Sequence, residues 1–142
     1  MRVAIVTSAE DRETLQTLLD CTFLLDCLYL RKHPDTPWLM ESGVAYRREP
    51  REVSGIAEGT EERFLAVDET MAQGWGDCDD LAPWRAAEIV VRYGGKARPE
   101  IVPIGPGQWH VVVWTDRGYE DPCAELGMVD PQITYEERQW LD

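Results

Sequence analysis

The sequence contains one long helical pattern whose two ends are both marked by glycine. Residues 78–93 carry apolar side chains at helical spacing, with Gly74 and Gly76 before them and the pair Gly94 and Gly95 after them. Glycine stops helices because it adopts a left-handed backbone without steric cost. We therefore predict a helix that packs in the core, begins with the first of these residues and stops at the glycine pair.

Pro83 lies inside this pattern, and its effect depends on where the helix begins. Proline has no amide hydrogen, so it is tolerated in the first turn, where the backbone amides lack partners anyway. If the helix begins at Cys78, Pro83 instead removes one backbone hydrogen bond and should kink the helix.

Strand-like runs rich in β-branched residues lie near the N-terminus and in the last third of the chain. They are residues 2–7, 100–104 and 108–115, and a short return strand from residue 119 that follows a turn at 116–118. An antiparallel sheet of the later runs, packed on the helix, makes an α+β fold. A chain of 142 residues is long enough for one core, so we predict a single domain over residues 1–142.

A second, N-terminal helix is predicted between the first strand and Pro34. Ser8 and Asp11 form a cap-like pattern at its start, and leucines recur at helical spacing toward the basic residues before the proline. His33 is predicted to be a cation at the C-terminal end of this helix rather than a catalytic base.

The four cysteines are interpreted as reduced thiols, since no signal peptide precedes them and no pair has metal-ligand spacing. Cys21 and Cys27 lie six residues apart, which turns them to different faces and separates them by about 9 Å along the axis, too far for a disulfide. We nevertheless predict that both lie in the helix core, because free cysteine is among the most buried residue types. No cofactor is predicted.

The segment before the glycines is less regular. Residues 34–60 are rich in proline, glycine and charge, which indicates a long ordered loop or a surface excursion with one strand-like element, "VAY" at 44–46. Residues 61–70 are predicted to form one or two helical turns.

The charge and the apolar runs limit the partners. The formal net charge of −13 argues against binding a nucleic-acid backbone, which requires clustered Lys and Arg. The most apolar run has 13 residues and contains Asp20 and Asp26, so it is too short and too charged to span a bilayer. Since the N-terminus lacks the features of a signal peptide, we expect a soluble, cytoplasmic protein that binds neither nucleic acid nor membrane.

Cys78 stands at the predicted start of the central helix, where a helix N-terminus lowers the pKa of a thiol. The glycines just before it allow a tight turn that brings backbone amides near the sulfur. Asp77, Asp79 and Asp80 oppose activation, because neighbouring carboxylates raise the pKa of a thiol. We expect at least one of these aspartates to cap the helix and point away.

A nucleophilic cysteine needs a base, and His110 lies at the start of a rigid strand-like run. Asp121, across the predicted hairpin, is the candidate that orients the imidazole through its other nitrogen. Glu120 competes for this role, but side chains alternate along a strand, so Glu120 points to the other face of the sheet.

The length of the hairpin turn decides whether this arrangement can form. A two-residue turn that pairs Thr115 with Gly118 sets Asp121 opposite Val112 and diagonal to His110, on the same face. A three-residue turn without a bulge places Asp121 on the wrong face.

The candidate hydrogen-bond donors for the negatively charged oxygen of a reaction intermediate lie at Cys78 or just before it in the sequence. The backbone amide of Cys78 is the first candidate, and the amide of Gln73 or the indole of Trp75 is the second. Trp109, beside the histidine, is a candidate wall of the cleft, although core packing is the more ordinary role for such a residue.

Three segments in this order, "GDCDDLAPWRAAEIVVRYG" at 76–94, "WHVVVW" at 109–114 and "YEDPC" at 119–123, resemble the transglutaminase-like superfamily of papain-like cysteine enzymes. In that superfamily a cysteine begins a helix, and a histidine and an aspartate lie on neighbouring strands. The upstream residues 29–50 are similar to a small, phage-encoded branch of it. The resemblance covers roughly residues 29 to 125.

The resemblance implies a papain-like core with Cys78 as nucleophile, His110 as base and Asp121 as the residue that orients it. The implied reaction is acyl transfer through a thioester on a protein or peptide substrate, by amide hydrolysis or transamidation, with other phage proteins as partners. The main alternative is an inactive structural or interaction module that keeps the fold. A zinc site of Cys78, His110 and aspartates is weaker, because no paired spacing supports it, and no metal is predicted.

Overall fold

Two long helices and a three-stranded antiparallel sheet form the main part of the molecule, in a computed structural model that describes residues 4–7, 12–47, 62–105 and 108–127. The elements are β1 (Ala4–Thr7), α1 (Arg12–Lys32), a 3₁₀ turn (Leu39–Glu41), β2 (Ala45–Tyr46), β3 (Glu62–Leu65), α2 (Val67–Gln73), β4 (Trp75–Gly76), α3 (Cys78–Tyr93), β5 (Ala97–Gly105), β6 (Gln108–Thr115), β7 (Gly118–Glu120) and α4 (Pro122–Glu125). The predicted α+β class is confirmed.

The main sheet has the strand order β5–β6–β7, and all its neighbours are antiparallel. Two smaller pairings lie outside it, an antiparallel one between β1 and β3 and a parallel one between the two-residue strands β2 and β4. Strand β6 has the predicted bounds, whereas β5 begins at Ala97 and is therefore longer than its β-branched run. The sheet is thus built around β6, the strand that carries His110.

Helix α3 packs against both α1 and the sheet, which explains why it is buried on almost every side. Leu81, Trp84 and Ala86 are fully buried, and the helix ends at Gly94, which has a φ of +68°. The predicted bounds are confirmed. Pro83 is the sixth residue of the helix, so its ring nitrogen cannot donate to the carbonyl of Asp79 one turn earlier.

Helix α1 confirms its predicted end but only half of its predicted cysteine burial. It ends at Lys32, while the predicted cap at Ser8 and Asp11 lies outside the described residues. Cys27 is buried and Cys21 is exposed, so the prediction for Cys21 was wrong. The other buried residues of α1 lie on one side of Cys27 around the helix axis, and Cys21 lies about 120° away from Cys27 on the opposite side, outside the buried arc.

The segments around β2 and β3 only partly match the prediction. Strand β2 confirms the strand-like element at 44–46, and the part of the predicted loop from 48 to 60 lies outside the described residues. Residues 62–65 form β3 rather than a helix, because they pair with β1. Residues 67–70 do begin a helix, α2, which continues to Gln73.

None of the helices in the described ranges is both long enough and apolar enough to cross a membrane. Helix α1 is the longest of them, with 21 residues, and it carries the buried carboxyl group of Asp26. Asp26 Oδ1 accepts a hydrogen bond of 2.9 Å from the amide of Val67, which joins α1 to the start of α2. Burial is the main cause that raises the pKa of Asp26 well above its ordinary value, so the carboxyl favours its protonated form.

This burial makes the stability of the fold depend on pH. A carboxyl with a raised pKa in the folded state stabilises the fold below its unfolded-state pKa, and this contribution is lost as the pH rises through the folded-state pKa. Asp26→Asn keeps an oxygen acceptor for the Val67 amide and cannot ionise. We expect the variant to gain stability relative to wild type as the pH rises from 4 to 8, measured by urea unfolding. Asp20→Asn, on the exposed face of α1, is the control and should show no such trend.

Candidate active site

The N-terminus of α3 is held by a capping box that fixes the position of Cys78. Asp77 Oδ1 accepts a hydrogen bond of 2.7 Å from the amide of Cys78, and Asp80 Oδ2 accepts one of 3.1 Å from the amide of Asp77. Asp80 Oδ1 also accepts from the amide of Leu65 at 2.9 Å, which joins β3 to the start of the helix. The expectation that an aspartate caps this helix is confirmed.

The same cap changes the interpretation of the oxyanion donors. The backbone amide of Cys78 was the first candidate, but it donates to the Asp77 carboxylate, so it does not point at a substrate in this arrangement. The Gln73 side chain is also engaged, because its Nε2 donates to the carbonyl of Trp75 at 2.9 Å and its Oε1 accepts from Arg63 at 3.2 Å. The amide of Cys78 is therefore not presented as a donor, whereas Gln73 Nε2 keeps a second N–H beyond its bond to Trp75.

The two tryptophans differ in their surroundings. Trp75 is half-buried on β4, and the guanidinium of Arg47 lies 5.3 Å from the centre of its ring. Trp109 is half-buried and packs against the main hydrophobic core. Packing therefore accounts for Trp109, and Trp75 remains a candidate for the cleft wall or for an indole donor.

The Cys78 sulfur lies beside the part of β6 that does not pair with the outer strand β7. Strand β7 pairs with β6 only from Val113 to Thr115, so it stops short of Val111. The amide of Val111 instead forms a hydrogen bond to the Cys78 thiol, and this bond lowers the pKa of the thiol. The amide belongs to the peptide bond between His110 and Val111, which places the sulfur close to the histidine along the chain.

Burial nevertheless dominates the ionisation of this cysteine. Cys78 is only 8% exposed, and this desolvation, followed by the charges of Asp77 and Asp79 and by Cys123, raises its pKa well above the ordinary value. In the free protein Cys78 is therefore a thiol. The lowering of this pKa expected from the helix N-terminus does not prevail, because burial and the neighbouring carboxylates outweigh it.

His110 and Asp121 form a direct hydrogen bond, as the hairpin register requires. Thr115 pairs with Gly118 across a two-residue turn, which confirms the predicted register. His110 Nε2 lies 3.0 Å from Asp121 Oδ2, and the imidazole is almost fully buried. Glu120 is directed elsewhere and accepts a 2.8 Å hydrogen bond from Arg85 on α3, so Asp121 is the carboxylate that meets the histidine.

Asp121 is fixed on both of its oxygens. While Oδ2 meets His110, Oδ1 accepts from the amides of Cys123 and Ala124 at 3.2 and 3.3 Å and caps α4. A carboxylate opposite Nε2 favours the tautomer with the proton on Nε2, which leaves the lone pair on Nδ1. The nitrogen of His110 with the capacity to accept a proton is therefore Nδ1.

The sequence-predicted site residues are thus brought together to different degrees. His110 and Asp121 are in contact, and the Cys78 sulfur lies at the N-terminal end of α3 as expected. In the described part of the chain no hydrogen bond joins the Cys78 sulfur to His110. A substrate complex with the two groups in contact requires a small movement, as is common in sites without substrate.

Cys123 is the neighbour of this site that sequence reasoning missed. One ligand atom each of His110, Asp121 and Cys123 lies within 4.8 Å of the other two. Cys123 is fully buried, and burial followed by the charge of Asp121 raises the pKa of its thiol well above the ordinary value. The sequence indicated no particular environment for Cys123, because the short helix α4 that buries it was not predicted. The one available signal was the Asp-Pro pair, a cap followed by a proline that is typical of a helix start.

A separate cavity of about 70 Å³ lies between α1 and the residues around the start of α2. Leu25, Tyr29 and Ala66 are among the residues that line it, and its charged and titratable groups come from Lys32, His33 and Asp68. It contains none of the predicted site residues. The predicted site residues instead lie around the start of β6 and the N-terminal ends of α3 and α4.

Comparisons with protein-family models, with curated proteins and with solved structures give no match. The transglutaminase-like assignment therefore stays a prediction from the sequence, and the function is argued from the site itself.

Proposed function

We propose that the protein is a cysteine-dependent acyltransferase with a papain-like core, in which Cys78 is the nucleophile, His110 the base and Asp121 the residue that orients it. The observation that carries the proposal is the hydrogen-bonded pair of the buried His110 and the partly buried Asp121, next to the peptide bond whose amide contacts the Cys78 sulfur. This combination supplies a nucleophile, a base and an orienting carboxylate on rigid elements.

In the proposed reaction, His110 Nδ1 accepts the thiol proton while the Cys78 sulfur attacks the substrate carbonyl. The tetrahedral intermediate collapses when the imidazolium returns this proton to the leaving amine, which gives a thioester. Water or a second amine then attacks the thioester, with His110 again taking and returning the proton. Asp121 keeps the Nε2 proton in place throughout and stabilises the imidazolium.

The raised pKa of the Cys78 thiol decides the order of these events. A preformed thiolate is disfavoured by burial and by the neighbouring carboxylates. Deprotonation therefore accompanies attack, and the rate depends on His110 rather than on a standing thiolate population. The Val111 amide contributes by donating to the sulfur as negative charge develops.

The proposed substrate is an amide in a protein or peptide, with a phage protein as the natural partner. Hydrolysis and transamidation share every step as far as the thioester. They differ only in whether water or an amine reaches it. The first measurement therefore addresses thioester formation, which both reactions require.

The test uses p-nitrophenyl acetate, an activated ester, and the mass of the protein as readout. Cys21 is exposed and would react in the background, so all variants carry Cys21→Ala, and metal is removed with a chelator. We expect one acetyl group on Cys78 that hydroxylamine removes, as a thioester requires. His110→Ala should slow this acetylation by about 100-fold or more.

Two controls separate chemistry from accessibility. Cys78→Ala should abolish the hydroxylamine-labile acetyl group, and Cys27→Ala, which removes a buried thiol outside the site, should leave its rate unchanged. Acetylation of Cys78 at the same rate in wild type and His110→Ala would refute a histidine-activated nucleophile.

The inactive module is the second candidate, and the burial of Cys78 is the observation that favours it. A thiol that is 8% exposed and surrounded by carboxylates also suits a purely structural residue. This alternative expects no acetylation of Cys78 under conditions that modify Cys21, so the same experiment decides between the two.

A further inference from the structure

We propose that His110, Asp121 and Cys123 form a binding site for Zn²⁺, and that the bound ion switches the acyl-transfer site off. The first part stands on the geometry of these three residues alone. The second part rests on the proposed function, because it requires His110 to act as the base for Cys78.

The three side chains already have the separations of a metal site. Their ligand atoms lie within 4.8 Å of one another, and His110 Nε2 is 3.0 Å from Asp121 Oδ2. Zinc bonds of about 2.0–2.3 Å in tetrahedral geometry place ligand atoms roughly 3.3–3.7 Å apart. The His–Asp pair has to open slightly and the Cys123 sulfur has to approach by no more than about 1.5 Å, which side-chain rotation can supply.

The ligand types select zinc over the common hard cations. A nitrogen, a carboxylate oxygen and a sulfur suit Zn²⁺, whereas Mg²⁺ and Ca²⁺ take sites made of oxygen alone. Three protein ligands leave the fourth tetrahedral position for water. Asp121 and Cys123 lie two residues apart around the start of α4, and His110 comes from β6, so two rigid elements hold the set.

The charges around the site explain why a cation is favoured there. The carboxylates that act on Cys123 are Asp121 together with Asp77, Asp79 and Asp80 at the N-terminus of α3. These negative groups raise the pKa of a nearby thiol and so disfavour a thiolate without a bound cation. A divalent cation that binds the Cys123 thiolate reverses this balance, because its charge interacts favourably with all four carboxylates.

The inhibition follows from the proton on His110. Without metal, Nε2 carries the proton and Nδ1 has the lone pair that accepts the proton of Cys78. When Nε2 binds Zn²⁺, the proton of the neutral imidazole sits on Nδ1, so this nitrogen no longer accepts a proton. Cys123 loses its thiol proton to solvent on binding, and no electron transfer is involved. Zinc thus removes the base without occupying Cys78.

Metal binding is tested by competition between the chelator-treated protein and a chromophoric zinc chelator, again in the Cys21→Ala background. We expect one equivalent of Zn²⁺, and Cys123→Ala should weaken the affinity by at least tenfold. Cys78→Ala is the matched control, since it removes the other buried thiol near the site and should bind Zn²⁺ as wild type does. Loss of binding in Cys78→Ala with retention in Cys123→Ala would overturn this ligand assignment.

A spectroscopic measurement on the wild-type protein tests the ligand assignment even if a variant fails to fold. Co²⁺ bound to wild type should show a thiolate-to-metal charge-transfer band in the near ultraviolet. The band should persist in Cys78→Ala. A Co²⁺ complex of wild type without this band would rule out Cys123 as a ligand, whatever the variants do.

The inhibitory part is measured by acetylation of Cys78 with p-nitrophenyl acetate. One equivalent of Zn²⁺ should suppress the reaction of wild type by at least tenfold, and excess chelator should restore it. At a Zn²⁺ concentration between the dissociation constants of wild type and Cys123→Ala, the variant should react at its own metal-free rate. Zinc binding without slower acetylation would disprove the inhibitory part. If metal-free wild type shows no acetylation of Cys78 at all, the proposed function fails, while the zinc measurements still decide the site.

Discussion

Asp121→Asn is expected to slow acetylation of Cys78 by roughly 10²- to 10⁴-fold while leaving the fold intact. The asparagine oxygen still caps α4 by accepting from the amides of Cys123 and Ala124. Its NH₂ group then faces His110 Nε2 in place of the carboxylate oxygen. Two donors cannot face each other, so the imidazole adopts the tautomer with its proton on Nδ1, and it can no longer accept the proton of Cys78.

The measurement is the rate of hydroxylamine-labile acetylation in metal-free protein, with the unfolding midpoint in urea recorded for the same samples. Asp116→Asn is the control, since Asp116 is exposed in the neighbouring hairpin turn and should leave both quantities unchanged. If Asp121→Asn reacts as fast as wild type, the carboxylate only caps α4. A lower rate with an unchanged midpoint separates the orienting role from a structural one.

The sequence predicted those features whose causes are local. Glycine at position 94 ends α3 because of its own backbone conformation, and Asp77 caps α3 by a bond to the next residue. The two-residue turn after Thr115 set the hairpin register, and with it the contact between His110 and Asp121. In each case the interacting groups lie within about a dozen residues, so spacing alone was sufficient.

Features that depend on distant partners were missed. Strand β3 forms because it pairs with β1 about sixty residues earlier, and nothing in its own charged sequence indicates a strand. Burial of Cys123 and exposure of Cys21 depend on which helix faces meet the core. The pKa of Cys78 likewise follows from burial by the whole fold, which outweighs the helix terminus that the sequence did reveal.

The oxyanion donors show the same limit within the site itself. Position upstream of Cys78 suggested candidate donors but did not predict their hydrogen-bond partners. The Cys78 amide is taken by Asp77 and the Gln73 side chain by Trp75 and Arg63. Each donor can satisfy only a limited number of acceptors, so its availability depends on the folded arrangement and not on residue type.

The largest loss of stability is expected for Arg85→Ala, about 3 kcal/mol in the free energy of unfolding. Arg85 joins α3 to the end of β7 through Glu120 at 2.8 Å, and it lies 3.3 Å from the carboxylate of Glu88. Glu88 is 1% exposed and also accepts a 2.6 Å hydrogen bond from the amide of Leu39. Removing the guanidinium leaves this buried carboxylate with one neutral hydrogen-bond donor and the charge of Arg92, which is costlier than losing an exposed ion pair.

The stability loss should depend on pH and should be reversible by a second substitution. Burial already raises the pKa of Glu88, and Arg85 is among the groups that lower it. Without Arg85 the pKa rises further, so the variant should lose stability as the pH increases through the folded-state value and regain it on acidification. Glu88→Gln in the Arg85→Ala background keeps an acceptor for Leu39, and it should recover part of the loss and flatten the pH dependence. Urea unfolding between pH 4 and 8 measures both. A loss below 1 kcal/mol for Arg85→Ala at pH 8 would mean that the Leu39 amide and the charge of Arg92 compensate the buried carboxylate without Arg85.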